Sequence, residues 1–316
     1  MAKISCIFFV LLLGVPYAIG RCPAECSCRE IDNKKIVTCS AGGMTNIPTT
    51  KMDADVQTLI VTAPHEKPNN LSIGRIFLHM YQLEDLSITH SSIPAIGDSS
   101  FWPGRALRSL DLSDNKINFL HDSNFNGLKH LVRLDLSDNQ IAATPSAPFL
   151  HLASLKSLSL ARNRLQSLVP RFFYMLPHLE ELDLSGNPLG EVDPENLQDV
   201  KGLRILRLSK CNLTHLHSVL YQQLPKLLEL DLRDNSIYVL APEEFRHLRS
   251  LKVLRLDGNK LANLEESTFQ GHNFDYLGLS RNAIFNISPC AFCNSTIRSL
   301  DISRNRLSGT SRTGRQ

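Results

Sequence analysis

Thiols are the most reactive side chains in this 316-residue sequence, and their spacing allows two kinds of chemistry. Cys22, Cys26, Cys28 and Cys39 fall in CPAECSC and VTCSAGG, close enough to hold a tetrahedral zinc ion or to form two disulfides. Cys290 and Cys293 make a C-x-x-C, a spacing used in thiol exchange when it sits in a βαβ unit. The segment ahead of them decides which chemistry applies. Lys3 precedes the apolar run Ile7 to Leu13, and Ala18-Ile19-Gly20 offers small residues at a cleavage point, the layout of a secretory signal that leaves Arg21 first. Thiols exported this way meet an oxidising compartment, so disulfides are expected and no metal site. Spacing alone leaves three pairings of the first four cysteines open. Cys6 departs with the signal, and Cys211 is the natural unpaired thiol. Cys290 and Cys293 suit a local disulfide, with a bond to a downstream segment as the alternative.

Other chemistry is absent from the pattern. The eleven histidines are scattered, often as His-Leu pairs such as His151-Leu152, and no phosphate-binding glycine loop, metal-binding histidine pair or nucleophile elbow appears. No enzyme activity and no cofactor are expected. A formal net charge of +3 is too weak to predict nucleic-acid binding, and no apolar run is long enough to span a membrane. N-x-[ST] sequons at Asn70, Asn212, Asn286 and Asn294 agree with an extracellular destination; the turn position of Asn212 makes it the least favoured for glycosylation.

The elements that position these groups repeat. Between Leu83 and Leu307 an eleven-residue phrase recurs ten times, apolar at its first, fourth, sixth and eleventh places, as in LRSLDLSDNKI from Leu107 and LEELDLSGNPL from Leu179. The starts are 24 residues apart up to Leu251 and then 23 twice, a period that specifies a solenoid. In Leu110-x-Leu112 the leucines share one side of a short strand while Asp111 takes the other, so stacking buries the leucines and leaves a polar face. Asn fills the ninth place at 115, 139, 163, 187, 235, 259, 282 and 305, where its amide can satisfy loop backbone groups of neighbouring repeats; Ser91 and Cys211 replace it twice. A second column, Phe77, Phe101, Phe125, Phe149, Phe173, Leu197, Tyr221, Phe245, Phe269 and Phe292, predicts an aromatic spine on the opposite wall.

The phrase L-x-x-L-x-L-x-x-N-x-L at this period, with Phe on the return, resembles the extracellular leucine-rich repeat family over nearly the whole chain. The resemblance implies an α/β solenoid: a horseshoe whose concave parallel β-sheet has about eleven strands, with short turns or single helical turns on the convex side. Val56-x-x-Leu59-x-Val61 supplies the first of these strands, with a spacing of 27 to the next. The cysteine-rich start looks like the family's N-terminal cap, which implies the pairs Cys22–Cys28 and Cys26–Cys39. The expected layout is a signal at 1–20, the cap at 21–50, repeats at 51–308, and a polar tail at 309–316 with no C-terminal cap. That uncapped end reads as a truncated or alternative product of a longer receptor, membrane-anchored in its longer form.

Function is therefore expected from a surface. Among the outward places of the strands, Ile205, Val253 and Tyr276 interrupt a polar column, with Glu229 between them and Arg207, Asp231 and Arg255 beside them. Apolar and aromatic groups ringed by charge have the composition of a protein-binding hot spot. The expected partner is an extracellular or cell-surface protein. The resemblance implies recognition of the adhesion and guidance kind seen in tartan, capricious, connectin and Slit proteins. A Toll-type ectodomain of innate immunity or a secreted matrix-binding protein is the alternative.

Overall fold

The computed structural model describes residues 20–142, 144 and 147–307, so the expected signal, Gly20 apart, and the expected polar tail lie outside the described residues. In chain order the strands are β1 (Ser27–Ile31), β2 (Lys34–Cys39), β3 (Thr58–Val61), β4 (Asp85–Ile88), β5 (Ser109–Asp111), β6 (Arg133–Asp135), β7 (Ser157–Ser159), β8 (Glu181–Asp183), β9 (Ile205–Arg207), β10 (Glu229–Asp231) and β11 (Val253–Arg255). They continue with β12 (Asn263–Leu264), β13 (Asn273–Phe274), β14 (Tyr276–Gly278), β15 (Asn286–Ile287), β16 (Thr296–Ile297) and β17 (Leu300–Asp301). Thirteen form one sheet: the antiparallel hairpin β1–β2, then β3 to β11, β14 and β17 laid side by side in chain order. The last eleven of these come from one repeat each. The pairs β12–β15 and β13–β16 are short parallel sheets on the return segments of the final repeats.

The equal period removes any register slip. Leu86, Leu110, Leu134, Leu158, Leu182, Leu206, Leu230, Leu254 and Leu277 lie opposite one another from strand to strand, each at most 2% exposed. Burial of each such leucine contributes about 1.5–3 kcal/mol, and it does so only because a neighbouring repeat covers it. Return segments are too short for real helices. Among the described residues they hold one five-residue helix, α1 (Ser218–Gln222), and 3-10 turns at Thr49–Lys51 and Pro194–Leu197.

The asparagine column is a hydrogen-bonded ladder. Each of the eight Oδ1 atoms accepts a backbone N–H from the preceding repeat, from Ile93, Ile117, Ile141, Leu165, Leu213, Ile237, Leu261 and Ile284 in turn, at 2.9–3.2 Å. Each Nδ2 donates to a preceding-repeat carbonyl at 2.7–2.9 Å. At Cys211 the thiol donates to Leu184 O at 3.3 Å, but no acceptor is supplied to Leu189, whose N–H turns to Asn187 O instead. An extra rung appears at Asn69, buried beyond the long Pro64–Pro68 loop, where it accepts from Met44 N–H and donates to Ser91 Oγ.

The aromatic column is a spine in segments. Phe77 stacks on Phe101 and Phe125 on Phe149, both at 6.1 Å, and Tyr221, Phe245, Phe269 and Phe292 run on at 5.4–5.9 Å. In the fifth repeat of the column Phe172, next to the expected Phe173, meets Phe149 at 5.6 Å, and Phe173 packs edge-on against Phe172. Leu197 then interrupts the rings.

Beside this spine, His272 stands where the six repeats before it carry Leu or Val, 6% exposed and stacked on Phe274 at 5.2 Å. Burial holds its pKa below the ordinary imidazole value. The unfolded chain therefore binds this proton more readily, and stability present above about pH 6.5 is lost as pH falls through the lowered folded value. His272→Leu is expected to remove this part of the acid dependence. Urea midpoints of both chains between about pH 7.5 and pH 5 check it: an unchanged slope would mean that His272 does not contribute.

Candidate protein-binding face

Strand ends on the concave side are built from the fifth-place carboxylates. Oδ1 of Asp111, Asp135, Asp183, Asp231 and Asp301 accepts the backbone N–H two residues on, at 2.8–3.0 Å. These acids fold the chain away from the strand and are spent locally. Asp231 in particular departs from its expected role. It is 2% exposed, and its carboxylate is gripped by the Arg233 guanidinium, with the shortest contact 2.6 Å, so Arg233 and not Asp231 presents itself to solvent. Arg233 was invisible to a reading of the third and fifth places because it sits at the seventh.

The other six expected contact residues are brought together. Ile205, Glu229, Val253 and Tyr276 are successive register partners on β9, β10, β11 and β14, and Arg207 and Arg255 flank Asp231 in the parallel column. Neighbours are thus ~4.8 Å apart along the sheet. Arg207 pairs with Glu181, and Arg255 Nη1 donates to Glu229 Oε1 at 2.6 Å while its guanidinium lies 5.7 Å from the Tyr276 ring centre. Side chains of Arg207 and Arg255 are each 29% exposed, a level at which such pairs orient groups more than they stabilise the fold. Burial, with Asp257 and Asp301 nearby, raises the Tyr276 pKa above its ordinary value, so the ring keeps its hydroxyl proton. The result is a half-buried apolar and aromatic strip held between fixed guanidinium groups.

A groove of about 610 Å³ runs along the margin where the strands begin, from Val132 to Asp275, and includes Ile205, Glu229 and Val253. Third-place Arg133, Ser157 and Glu181 line it too, and the rest of its wall comes from the second place of successive repeats, including Lys156, Glu180, Arg204, Leu228 and Lys252. Sequence reasoning passed over this column; the signal that could have found it is the charge carried there by one repeat after another.

The cysteines and sequons lie elsewhere. Disulfides join Cys22 to Cys28, Cys26 to Cys39 and Cys290 to Cys293, with Cα atoms 6.0, 4.1 and 4.8 Å apart. Cys211 is free and buried, and burial pushes its thiol pKa up to about 11, which leaves it a weak nucleophile. Asn70, Asn212, Asn286 and Asn294 are all exposed. Asn70 and Asn212 directly follow Asn69 and Cys211 of the ladder, which places both on one lateral edge, away from the marginal groove. Among the described residues no group of three or more His, Cys, Asp or Glu is arranged to hold a metal ion, and no helix is long and apolar enough to cross a membrane.

Comparison with known proteins agrees with this architecture. Residues 81–141, 105–164, 130–189, 201–261 and 249–307 each match the family model described as leucine rich repeat. Human leucine-rich repeat-containing protein 3 is 32% identical over 97 residues, and its rat counterpart 33% identical over 99. The match covers 31% of this chain and 35% of those relatives, so the chain spans about a third of their length. Among solved structures, the Drosophila Toll–Spatzle complex superposes with a TM-score of 0.66 at 22% identity, over 85% of this chain and 42% of that one. The mouse RP105/MD-1 complex gives 0.66 at 23% identity over 80% and 43%, and the leucine-rich repeat domain of APL1B gives 0.61 at 21% over 80% and 73%. At these identities the likeness is one of fold.

Proposed function

The chain belongs to the leucine-rich repeat family, and on that premise we propose that it is a non-enzymatic extracellular recognition protein that binds another protein on its concave face. The observation that carries the reading is the in-register strip Ile205, Glu229, Val253 and Tyr276, with Arg207 and Arg255 fixed beside it. Aromatic and arginine groups on a rigid, partly desolvated surface cost little entropy to immobilise and are the groups that dominate interface energies. Disulfides at the N-terminal segment and near the last repeats support an oxidising setting, extracellular or at the cell surface. The proposed layout keeps the signal at 1–20, the cap at 21–50 and the repeats at 51–308. Glycosylation is proposed at all four sequons, Asn212 included, since each is exposed.

Adhesion or guidance is the primary role proposed. Recognition of an innate immune ligand is the second, supported by the likeness to the Toll and RP105 solenoids of the Toll–Spatzle and RP105/MD-1 complexes. The test is to secrete the chain from cultured cells, screen it against extracellular proteins, and repeat the screen with the Ile205→Ser, Val253→Ser, Tyr276→Ala triple variant. The partner is expected to bind the variant at least ~100-fold more weakly, about 3 kcal/mol. Equal binding by a correctly folded variant would move the site off this face.

A further inference from the structure

The marginal groove is mixed in charge, but its charges are not equally free. Glu180 pairs with Lys156 at 3.2 Å, Glu229 with Arg255 at 2.6 Å, Asp275 with Arg298 at 3.1 Å, and Glu181 with Arg207. Every carboxylate in the wall is thereby neutralised from within the chain. Arg133, Arg204 and Lys252 are exposed, and among the described residues none of them has a carboxylate within ion-pair distance; Lys252 Nζ reaches only the carbonyl of Asn273 at 3.3 Å. Beside Arg204 and Lys252 lie the half-buried Ile205, Leu228 and Val253, while Ser157 and the paired Lys156, Glu180 and Glu181 line the stretch between Arg133 and Arg204. The groove is therefore functionally cationic at three separated points, with internally neutralised ion pairs between the first two and an apolar floor beside the last two.

Resting on the reading that the concave side binds a protein, we infer that this groove takes an extended acidic segment of that partner, with carboxylates spaced to meet Arg133, Arg204 and Lys252. The spacing follows from the fold. Arg133 and Arg204 stand three strands apart, and Arg204 and Lys252 two, or ~14 and ~10 Å across the sheet. An extended chain advances ~3.4 Å per residue and alternates its side chains between two faces, so acids at one position, four residues on and four beyond that share the groove-facing side and span ~27 Å, which brings all three cations within reach of their own long side chains. Apolar side chains between the second and third acids would cover Ile205, Leu228 and Val253. A uniformly sulfated glycan fits less well, because it offers nothing to the apolar floor and sets dense negative charge against four carboxylates whose partners are already taken.

The experiment is fluorescence anisotropy of the secreted chain with a labelled peptide of about twelve residues, carrying Glu at its first, fifth and ninth positions and Val or Thr between them. Binding is expected to weaken with salt, and to drop at least ~10-fold both when the three Glu become Gln and when the chain carries Arg204→Gln with Lys252→Gln. Both replaced residues are exposed, so a thermal melt should show the double variant folded as before. The inference is overturned if the Gln peptide binds equally well, if the double variant binds the Glu peptide unchanged, if no acid-dependent signal appears up to about 1 mM, or if a heparin fragment binds and the peptide does not. A partner captured in the screen separates the two readings. If it is lost by the Ile205, Val253, Tyr276 variant but indifferent to Arg204→Gln with Lys252→Gln, only the acidic segment fails; indifference to both sets removes the concave site as well.

Discussion

Asn187→Ala is expected to destabilise the solenoid by about 3–5 kcal/mol, more than any surface change proposed for this chain. The side chain is wholly buried; Nδ2 donates to Leu160 O at 2.9 Å and Leu184 O at 2.8 Å, and Oδ1 accepts from Leu165 N–H at 3.1 Å. Alanine would leave the Leu165 N–H without a partner in a site closed to water, at about 1–3 kcal/mol, would take one of two donors from each of Leu160 O and Leu184 O, which keep only Asn163 Nδ2 and the Cys211 thiol, and would add a cavity. The position is also the least able to share the loss. The next rung is Cys211, which already leaves Leu189 N–H to bond Asn187 O. Two successive rungs would then be incomplete, and because repeat stability is a nearest-neighbour property, the repeats on either side should begin to unfold separately. Urea unfolding should show a lower midpoint and a broader transition, and hydrogen exchange should quicken first at Leu165. Cys211→Ser is the control: Ser91, at the equivalent place, bonds Thr89 O at 2.8 Å, so a hydroxyl can take over the thiol's donor role, and the change should cost no more than about 1 kcal/mol. A wild-type midpoint for Asn187→Ala would show that the ladder is not a main support of the fold.

What the sequence made legible, and what it hid, divides along the same physical line. The leucines and ladder asparagines could be placed because each answers to its own repeat: period fixes position, and position fixes burial. Groups whose partners lie a variable distance away could not. Asn69 was hidden because the Pro64–Pro68 loop carries it five residues past the place where its repeat should show an asparagine. The β1–β2 hairpin lies outside the period altogether. Phe172 and Phe173 are adjacent, and which of them meets Phe149 depends on a return segment with positive φ at Arg171 and Met175, a backbone path that no residue pattern announced. Asp231 was misplaced for a related reason: alternation along the strand tells which side a residue faces, but not that Arg233, two residues on, folds back over it. The marginal groove is a cross-strand property, set by which charges are already paired, and only the register reveals that.

The same kind of cross-repeat dependence makes Gly278 the second position of large effect. It is the fifth place of its repeat, where Asp elsewhere accepts the N–H two residues on; here Asp257 from the preceding repeat does this, its Oδ1 accepting Ser280 N–H at 3.0 Å and Ser280 Oγ–H at 2.7 Å. Asp257 is 5% exposed, and a Cβ at position 278 would fall 2.1 Å from its Oδ2. The glycine thus provides the space for a carboxylate borrowed from next door. Gly278→Asp should destabilise by about 2–4 kcal/mol, since it expels Asp257 from its two hydrogen bonds and sets a second carboxylate against it. Asp257→Ser should cost about 1–3 kcal/mol by leaving the buried Ser280 N–H without an acceptor. Together the two changes restore the arrangement seen at Asp301, which accepts from Ser303 N–H at 3.0 Å, and the double variant should return to within about 1 kcal/mol of the starting chain. Urea midpoints of the four chains give the coupling. Additive losses would mean that Gly278 and Asp257 do not exchange one role, whereas recovery in the double variant would show that a missing acid in one repeat is replaced through space by its neighbour, beside the Tyr276 and Arg255 strip proposed to meet the partner.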